Sequence, residues 1–251
     1  MNNQETSDRF DKALIASRLE DARVEIRKIS NGANIKLLAV TKTVPVDVIN
    51  YTIDELGVTA IGENRVQELL SKYDELHAPK DQKLEIHLIG SLQTNKVKYI
   101  IDKVDMIESV DSVRLAAEID RQAKKHGITM DILIEINIGR EEQKGGILPD
   151  ELDSFINELE QFGNLRLRGL MTIAPKCENS SDYSKYFDET NKIFNSTKAN
   201  LSDKASDFDV LSMGMSGSYR EAIASGSTQV RLGSTIFGSR PYPETKQNDN
   251  N

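Results

Sequence analysis

Eight short runs rich in aliphatic and β-branched residues, each followed by a stretch long enough for a crossover, constrain the fold of this chain more than any other feature. The runs are IKLLAV (35–40), TAIGE (59–63), LEIHLIG (84–90), DMIESV (105–110), DILIEINIG (131–139), LRLRGLMTIA (165–174), DVLSMGM (209–215) and QVRLGSTIFG (229–238). Between them, apolar residues recur at helical spacing, as in Leu152, Phe155, Ile156, Leu159 and Phe162 after Pro149. Alternation of this kind builds parallel sheets from βαβ units. Eight units in 251 residues favour the α/β class in its closed form, a (β/α)8 TIM barrel, over an open doubly wound sheet. No glycine-rich dinucleotide fingerprint follows the first run, which also speaks against the open sheet. The expectation is one barrel domain over residues 1–251, preceded by an extra amphipathic helix at 8–30 (Phe10, Leu14, Leu19, Val24) and ending in a polar, disordered tail at 243–251.

Composition narrows the classes of function. An apolar share of 38% beside 29% charged residues supports a buried core without disulfides, and the single cysteine, Cys177, has no intramolecular partner. No run approaches the roughly 20 apolar residues that span a bilayer, and the polar opening MNNQETSDRFDK does not resemble a signal peptide, so a cytoplasmic protein is expected. With 32 basic against 40 acidic residues the net charge is −8, which argues against nucleic acid as a partner. The densest basic run, RQAKKHG (121–127), reads as the solvated end of a helix, where cations suit the dipole. His77, His87 and His126 stand far apart with no ligand at metal spacing, so no metal site is expected.

In a barrel the carboxyl ends of the strands share one rim, and chemistry belongs there. The first run exits at Lys42; alternation places Leu38, Val40 and Lys42 on the interior face, with Lys36 inward at the barrel's bottom, its stem within reach of solvent. Burial lowers an amine's pKa, and a neutral amine is what addition to a carbonyl needs. A strand-end lysine that merely snorkels to solvent is the ordinary alternative. SMGMSGSYREAI (212–223) passes through Gly214, Ser216, Gly217 and Ser218 into a helix beginning near Tyr219, a turn that welcomes an anion or simply caps a helix. VRLGSTIFGSR (230–240) repeats the theme with Gly233, Ser234 and the fixed charge of Arg231. Loops seven and eight are where barrels commonly hold phosphate, so a phosphate-bearing aldehyde is the ligand that suits all three strand ends. Asn64, in IGENRVQEL (61–69), either meets a ligand oxygen or caps a helix. His87 and Met171 read first as core residues and second as ligand contacts.

Taken together, AVTKTVP, IGENRVQEL, HLIGSLQTNK, RGLMTIAP, LSMGMSGSYREAI and VRLGSTIFGSRPY closely resemble the pyridoxal phosphate homeostasis protein family, also called the YggS or PROSC family, from about residue 10 to 242. The resemblance implies a barrel like the N-terminal domain of alanine racemase, binding pyridoxal 5'-phosphate as a Schiff base. Position by position, it makes Lys42 the Schiff-base lysine, Ser216 the phosphate ligand of strand seven, and Gly233 with Ser234 the phosphate turn of strand eight. It places Arg231 against the pyridine nitrogen, where a cation keeps that nitrogen unprotonated and weakens the electron sink, and Asn64 beside the cofactor. The cofactor-binding set is therefore Lys42, Asn64, Met171, Ser216, Gly217, Arg231, Gly233 and Ser234, with no catalytic residue assigned. Three places depart from the family's wording: Gly217, Ser218 and Tyr219 where an acidic residue usually follows MGMS, Ile86 where Trp usually precedes His87, and NIGREEQKGG (137–146) in the fifth loop. None of them removes a carried-over ligand.

A related racemase takes a second acid/base from an extra C-terminal domain, and this sequence ends 13 residues after its eighth run. The expectation is a monomeric, non-catalytic carrier acting in vitamin B6 and amino-acid homeostasis, with apo pyridoxal-phosphate enzymes as recipients. The competing readings are a monomeric amino-acid racemase or lyase using a base such as Tyr219, and a Schiff-base aldolase on a sugar phosphate.

Overall fold

β1 (Lys36–Val40), β2 (Ala60–Glu63), β3 (Glu85–Leu88), β4 (Met106–Val110), β5 (Met130–Ile136), β6 (Leu165–Thr172), β7 (Val210–Met215) and β8 (Gln229–Leu232) pair in chain order, and β8 pairs in turn with β1. Every pairing is parallel, so the sheet closes into the barrel that the alternation predicts. The computed structural model describes residues 10–201 and 205–238. The seam between first and last strand runs Lys36 to Gln229, Leu37 to Val230, Leu38 to Arg231 and Ala39 to Leu232.

The outer layer consists of α1 (Lys12–Ile29), α2 (Val46–Asp54), α3 (Val66–Lys72), α4 (Val113–His126), α5 (Leu152–Leu159), α6 (Tyr183–Asn200), α7 (Tyr219–Ala224) and α8 (Ser234–Phe237), with a 3-10 segment, Thr94–Tyr99, after β3. α1 shows why such segments become helices here. Ile15, Leu19, Ala22 and Ile26 recur every three or four residues and are its buried face, while Asp11 caps its first turn by accepting from Ala13 N at 2.9 Å and Leu14 N at 3.1 Å. Full burial of each large aliphatic side chain in that stripe contributes about 1.5–3 kcal/mol. The helix expected at 8–30 is thus found at Lys12–Ile29, and residues 8 and 9, like the tail at 243–251, lie outside the described residues. The basic run at 121–127 is a helix end, with Lys124, Lys125 and His126 in the last turn of α4.

Several strands stop two or three residues short of their expected ends, and the eighth differs most. QVRLGSTIFG does not stay extended to residue 238: β8 stops at Leu232, and Ser234–Phe237 coil into α8. The apolar pair that suggested a strand, Ile236 and Phe237, is buried by helical geometry instead. Among the described residues no helix is long and apolar enough to cross a membrane, and no cluster of His, Cys, Asp and Glu has metal-binding geometry.

Apolar residues that point outward from the strands, such as Ala39, Ile61, Ile107, Ile134, Leu170 and Leu211, join the helices in one large core. Those that point inward form two smaller clusters, Leu38 with Val40, Ala60 and Ile89, and Met106 with Leu133 and Met171. A register shift between Ile107 and Val110 in the β4–β5 pairing changes which side chains face inward just below the rim.

Candidate functional site

Lys42 sits immediately beyond β1, half-buried, in a turn whose next residue, Thr43, has a left-handed φ of 63°. A β-branched residue there is strained, and the turn is held against that strain by neighbours. Thr43 N donates to Glu68, while Lys72 donates to Glu68 at 2.7 Å, to Glu63 at 3.0 Å and to the carbonyl of Thr41 at 3.0 Å. Burial pushes the Glu63 carboxyl above its ordinary pKa, with Lys72 and Thr41 opposing the shift.

Lys42 lines a cavity of about 220 Å³ together with Thr43, Gly233 and Ser234, and α1 closes its side with Leu14 and Arg18. The two strand ends meet directly there: a Cβ on Gly233 would lie 3.4 Å from Val40 Cβ. Ser216 joins from β7, its Oγ accepting from Gly233 N at 3.2 Å and Thr235 N at 3.1 Å. A hydroxyl that accepts twice still has its own O–H to donate to a ligand oxygen. Gly214 makes this turn possible, since its φ is +91° and a Cβ would approach Ala222 Cβ to 2.5 Å. Gly217 is exposed with no atom within 4 Å of a Cβ built on it, so backbone at that point is open to a ligand.

Asn64 follows β2, and its buried Oδ1 has no hydrogen-bond partner within the protein. It is not the cap that the sequence allowed: Arg65 occupies the N-cap of α3, with no side-chain bond there. The backbone of Asn64 is pressed against Gly90, where a Cβ would lie 2.4 Å from the Asn64 carbonyl oxygen. An acceptor buried without a donor costs on the order of 1–3 kcal/mol, which a ligand donor would recover.

Arg231 lies lower, at the level of Leu38, four residues before Lys42 or roughly 13 Å along the strand at about 3.3 Å per residue. It is buried, with Nη1 donating to Ser212 O at 2.9 Å and Ser212 Oγ at 2.6 Å, and Nη2 to Thr172 O at 2.8 Å. Burial lowers its pKa from the ordinary arginine value, while the carboxylates of Glu108 and Glu135 oppose that shift. Met171, the register partner of Ser212, is fully buried inside the barrel and packs with Met106 and Leu133.

Beneath Arg231 runs a chain of charged side chains that the periodicity did not reveal. Lys36 Nζ bonds both oxygens of Glu85, at 2.6 and 2.8 Å; Glu85 accepts from His87 Nε2 at 2.8 Å; and His87 Nδ1 meets Glu108 at 2.5 Å. Glu108 also accepts from Ser212 Oγ at 2.7 Å and Gln229 Nε2 at 2.7 Å, and stands 4.0 Å from Arg231 Nη1. Burial alone would strip the proton from His87, but Glu108 and Glu85 outweigh it and raise its pKa to about 9. Burial likewise pushes Glu108 up, and His87, Arg231 and Ser212 more than reverse that, leaving it below the usual carboxylate range. His87 is therefore a buried core residue, as expected, but one held as a cation between two carboxylates that the sequence reading did not foresee, and Ile86 beside it packs outward into the helical core.

Two further titratable groups bear on the chemistry, and the sequence singled out only the second. Glu135, at the end of β5, is pushed up to about 7 by burial and by the charge of Asp111, with Arg231 opposing. Tyr219, the suggested base, is buried in the outer layer, where its hydroxyl donates to Glu25 of α1. Burial and Glu25 raise its pKa to about 12.

The structure thus brings Lys42, Gly233 and Ser234 around one cavity, attaches Ser216 to it, leaves Asn64 with an open acceptor, and sets Arg231 and Met171 below. This geometry has close relatives. Residues 17–241 match the family described as alanine racemase, N-terminal domain. The pyridoxal phosphate homeostasis protein of Aquifex aeolicus (strain VF5) is 42% identical over 232 residues, spanning 89% of this chain and 96% of its own. The protein of the same name from Escherichia coli (strain K12) is 38% identical over 209 residues, spanning 83% and 87%. The structure of PipY from Synechococcus elongatus PCC7942 with PLP bound superposes with a TM-score of 0.75 at 32% identity, covering 89% of this chain and all of PipY. A closed parallel barrel with a lysine and two small-residue turns at its first, seventh and eighth strand ends, matched over nearly its whole length by these relatives, places the chain in the pyridoxal phosphate homeostasis protein family.

Proposed function

We propose that this protein holds pyridoxal 5'-phosphate as a Schiff base on Lys42 within a single barrel domain, and acts in intracellular vitamin B6 and amino-acid homeostasis without robust catalysis of its own. The observation that carries the reading is the cavity shared by Lys42, Gly233 and Ser234, with the Ser216 hydroxyl tethered to it by two backbone N–H groups. The residues suit the cofactor. The hydroxyls of Ser216 and Ser234 are neutral donors for a phosphate, the first aimed by the N–H groups of Gly233 and Thr235 that it accepts from, Asn64 Oδ1 is a buried acceptor without a donor, and Gly217 leaves its backbone open. Met171 gives the interior an apolar wall below the rim, and Arg231 a fixed charge.

When bound, the cofactor supplies an aldehyde for an amine and an electron-withdrawing ring. The protein's own groups restrain that chemistry. An arginine at the ring nitrogen disfavours protonation there, and the family resemblance assigns Arg231 that place. Tyr219, the base that a racemase or lyase would want, is engaged by Glu25 in the helical layer. The reading is completed by hand-over to apo pyridoxal-phosphate enzymes from a monomeric, cytoplasmic carrier, and the net charge of −8 is consistent with a protein that avoids nucleic acid.

Borohydride reduction of the purified, cofactor-loaded protein followed by peptide mapping tests the site. The pyridoxyl group is expected on Lys42, and Lys42→Ala is expected to lose both the label and the visible absorbance band. A label on any other lysine overturns the assignment. Incubation with a panel of L-amino acids in deuterated water tests the carrier reading: α-proton exchange well above that of free cofactor would convert it into an enzyme.

A further inference from the structure

A barrel interior is ordinarily filled by branched apolar side chains. Here five ionisable groups of alternating sign, Lys36, Glu85, His87, Glu108 and Arg231, are threaded through it instead. Buried ion pairs are poor stabilisers, because desolvation consumes most of the Coulombic gain, and an apolar filling of the same volume is often as stable or more so. The network is also specific in its direction. It is partly open to solvent at Lys36 and Glu85 and becomes fully buried at His87 and Glu108, where it stops just short of the guanidinium of Arg231.

The contacts at that end are directional. Glu108 Oε2 accepts from Ser212 Oγ, and Gln229 Nε2 bridges Glu108 Oε1 and Ser212 Oγ at 2.7 and 3.0 Å. The same Ser212 Oγ accepts from Arg231 Nη1 at 2.6 Å. Ser212 has one hydrogen, and spending it on Glu108 turns its lone pairs toward Arg231 and Gln229. With Glu108 neutral, that hydrogen is no longer committed, and the guanidinium loses the fixed lone pair of Ser212 Oγ and its nearest negative charge, keeping only the carbonyls of Ser212 and Thr172.

We propose that Glu108 is a positioning residue for the ring of the cofactor: through Ser212 and Gln229 it sets the direction in which Arg231 presents its guanidinium to the site. The inference rests on the cofactor reading given above. His87 contributes by holding Glu108 from the other side, and the lower members of the chain contribute mainly to folding.

Glu108→Gln keeps the shape and removes the charge. In the full-length protein, pyridoxal 5'-phosphate affinity is expected to fall about tenfold, the loss of one well-directed charged contact. The induced circular dichroism of the bound chromophore, which reports ring orientation, is expected to change as well. Ser212→Ala, which leaves the carboxylate in place, is expected to move both readouts in the same direction by a smaller factor; it also decides the matter should Glu108→Gln fail to fold. Glu85→Gln, at the solvent end of the chain, serves as the comparison and is expected to lower the unfolding temperature while leaving affinity and dichroism near those of the parent. Unchanged affinity and dichroism in Glu108→Gln or Ser212→Ala, with the borohydride label still on Lys42, overturn the positioning role and leave the cofactor site standing. Equal effects from Glu85→Gln overturn it too, by showing general loosening. A parent protein with no label on Lys42 instead sinks the site itself.

Discussion

The middle of the barrel and its rim treat polar groups in opposite ways. Between Lys36 and Arg231 each charge faces its opposite, and the hydroxyl of Ser212 is bonded on both sides; Gln229 Oε1 is the one acceptor of that chain left without a partner. At the rim, Asn64 Oδ1 is buried and unpaired, Glu135 is held near neutrality by burial and Asp111, and Thr43 is kept at a positive φ. Internal compensation is how a protein fixes a shape, whereas exposed cost is how it keeps a place for something that arrives.

Breaking the compensated half has the largest expected effect. His87→Gln leaves Glu85 and Glu108 facing each other across a neutral amide. The folded pKa of His87, about 9, lies above its ordinary 6.5, so its stabilisation is complete below about pH 6.5 and is lost as pH rises through 9. Glu85, lowered to about 2, bounds the acid side: its contribution is complete above its ordinary 4.5 and is lost as pH falls through 2. Urea unfolding at pH 6 is expected to show a loss of about 3 kcal/mol in the variant, shrinking above pH 9. A loss of equal size at both pH values would mean that packing, not charge, is what His87 supplies.

Glu135→Gln probes the uncompensated half and carries the opposite sign. A carboxyl whose folded pKa is raised from 4.5 to about 7 costs the fold nothing below pH 4.5 and progressively more as pH rises through 7. Without added cofactor, the variant is expected to match the parent near pH 4 and to exceed it by about 2 kcal/mol at pH 8, less than the full shift implies because the carboxyl is partly exposed to solvent. Absence of any gain at pH 8 would place Glu135 among the compensated groups. Thr43→Gly is the mildest test: glycine adopts φ +63° freely, and a gain of about 1 kcal/mol or less is expected in thermal unfolding, since part of the relieved strain is offset by chain entropy.

The fold was legible because a (β/α)8 chain writes its architecture locally: each strand and each crossover is a separate periodic segment, and all eight runs are strands of the barrel. The rim was legible where the candidate site draws on strand ends, as at Lys42, Ser216 and Gly233, which the structure brings together. The eighth run was overextended because Ile236 and Phe237 are as apolar in a helix as in a strand. The interior chain was invisible for a different reason. Glu85, two residues from His87 on the same strand face, was there to be read, but Glu108 is 21 residues from His87 and finds Gln229 across 121 residues, a proximity that only closure creates. Polar residues set among apolar ones in DMIESV, LSMGM and QVRL, at Glu108, Ser212, Gln229 and Arg231, are the trace that such a network leaves in sequence.

Closure has a bearing on the life of the chain as well. Lys42 comes off the first strand and Ser216, Gly233 and Ser234 off the last two, so the site is assembled at the seam where β8 meets β1. α1 packs across that seam against α8 and α7, and Glu25 ties it to Tyr219 and Arg220. A chain whose final strands have yet to leave the ribosome has its lysine but nothing opposite to it. If Lys42 holds the cofactor as proposed, capture between those two edges is a signature of finished synthesis, and colour in a preparation would count the molecules whose ring has shut.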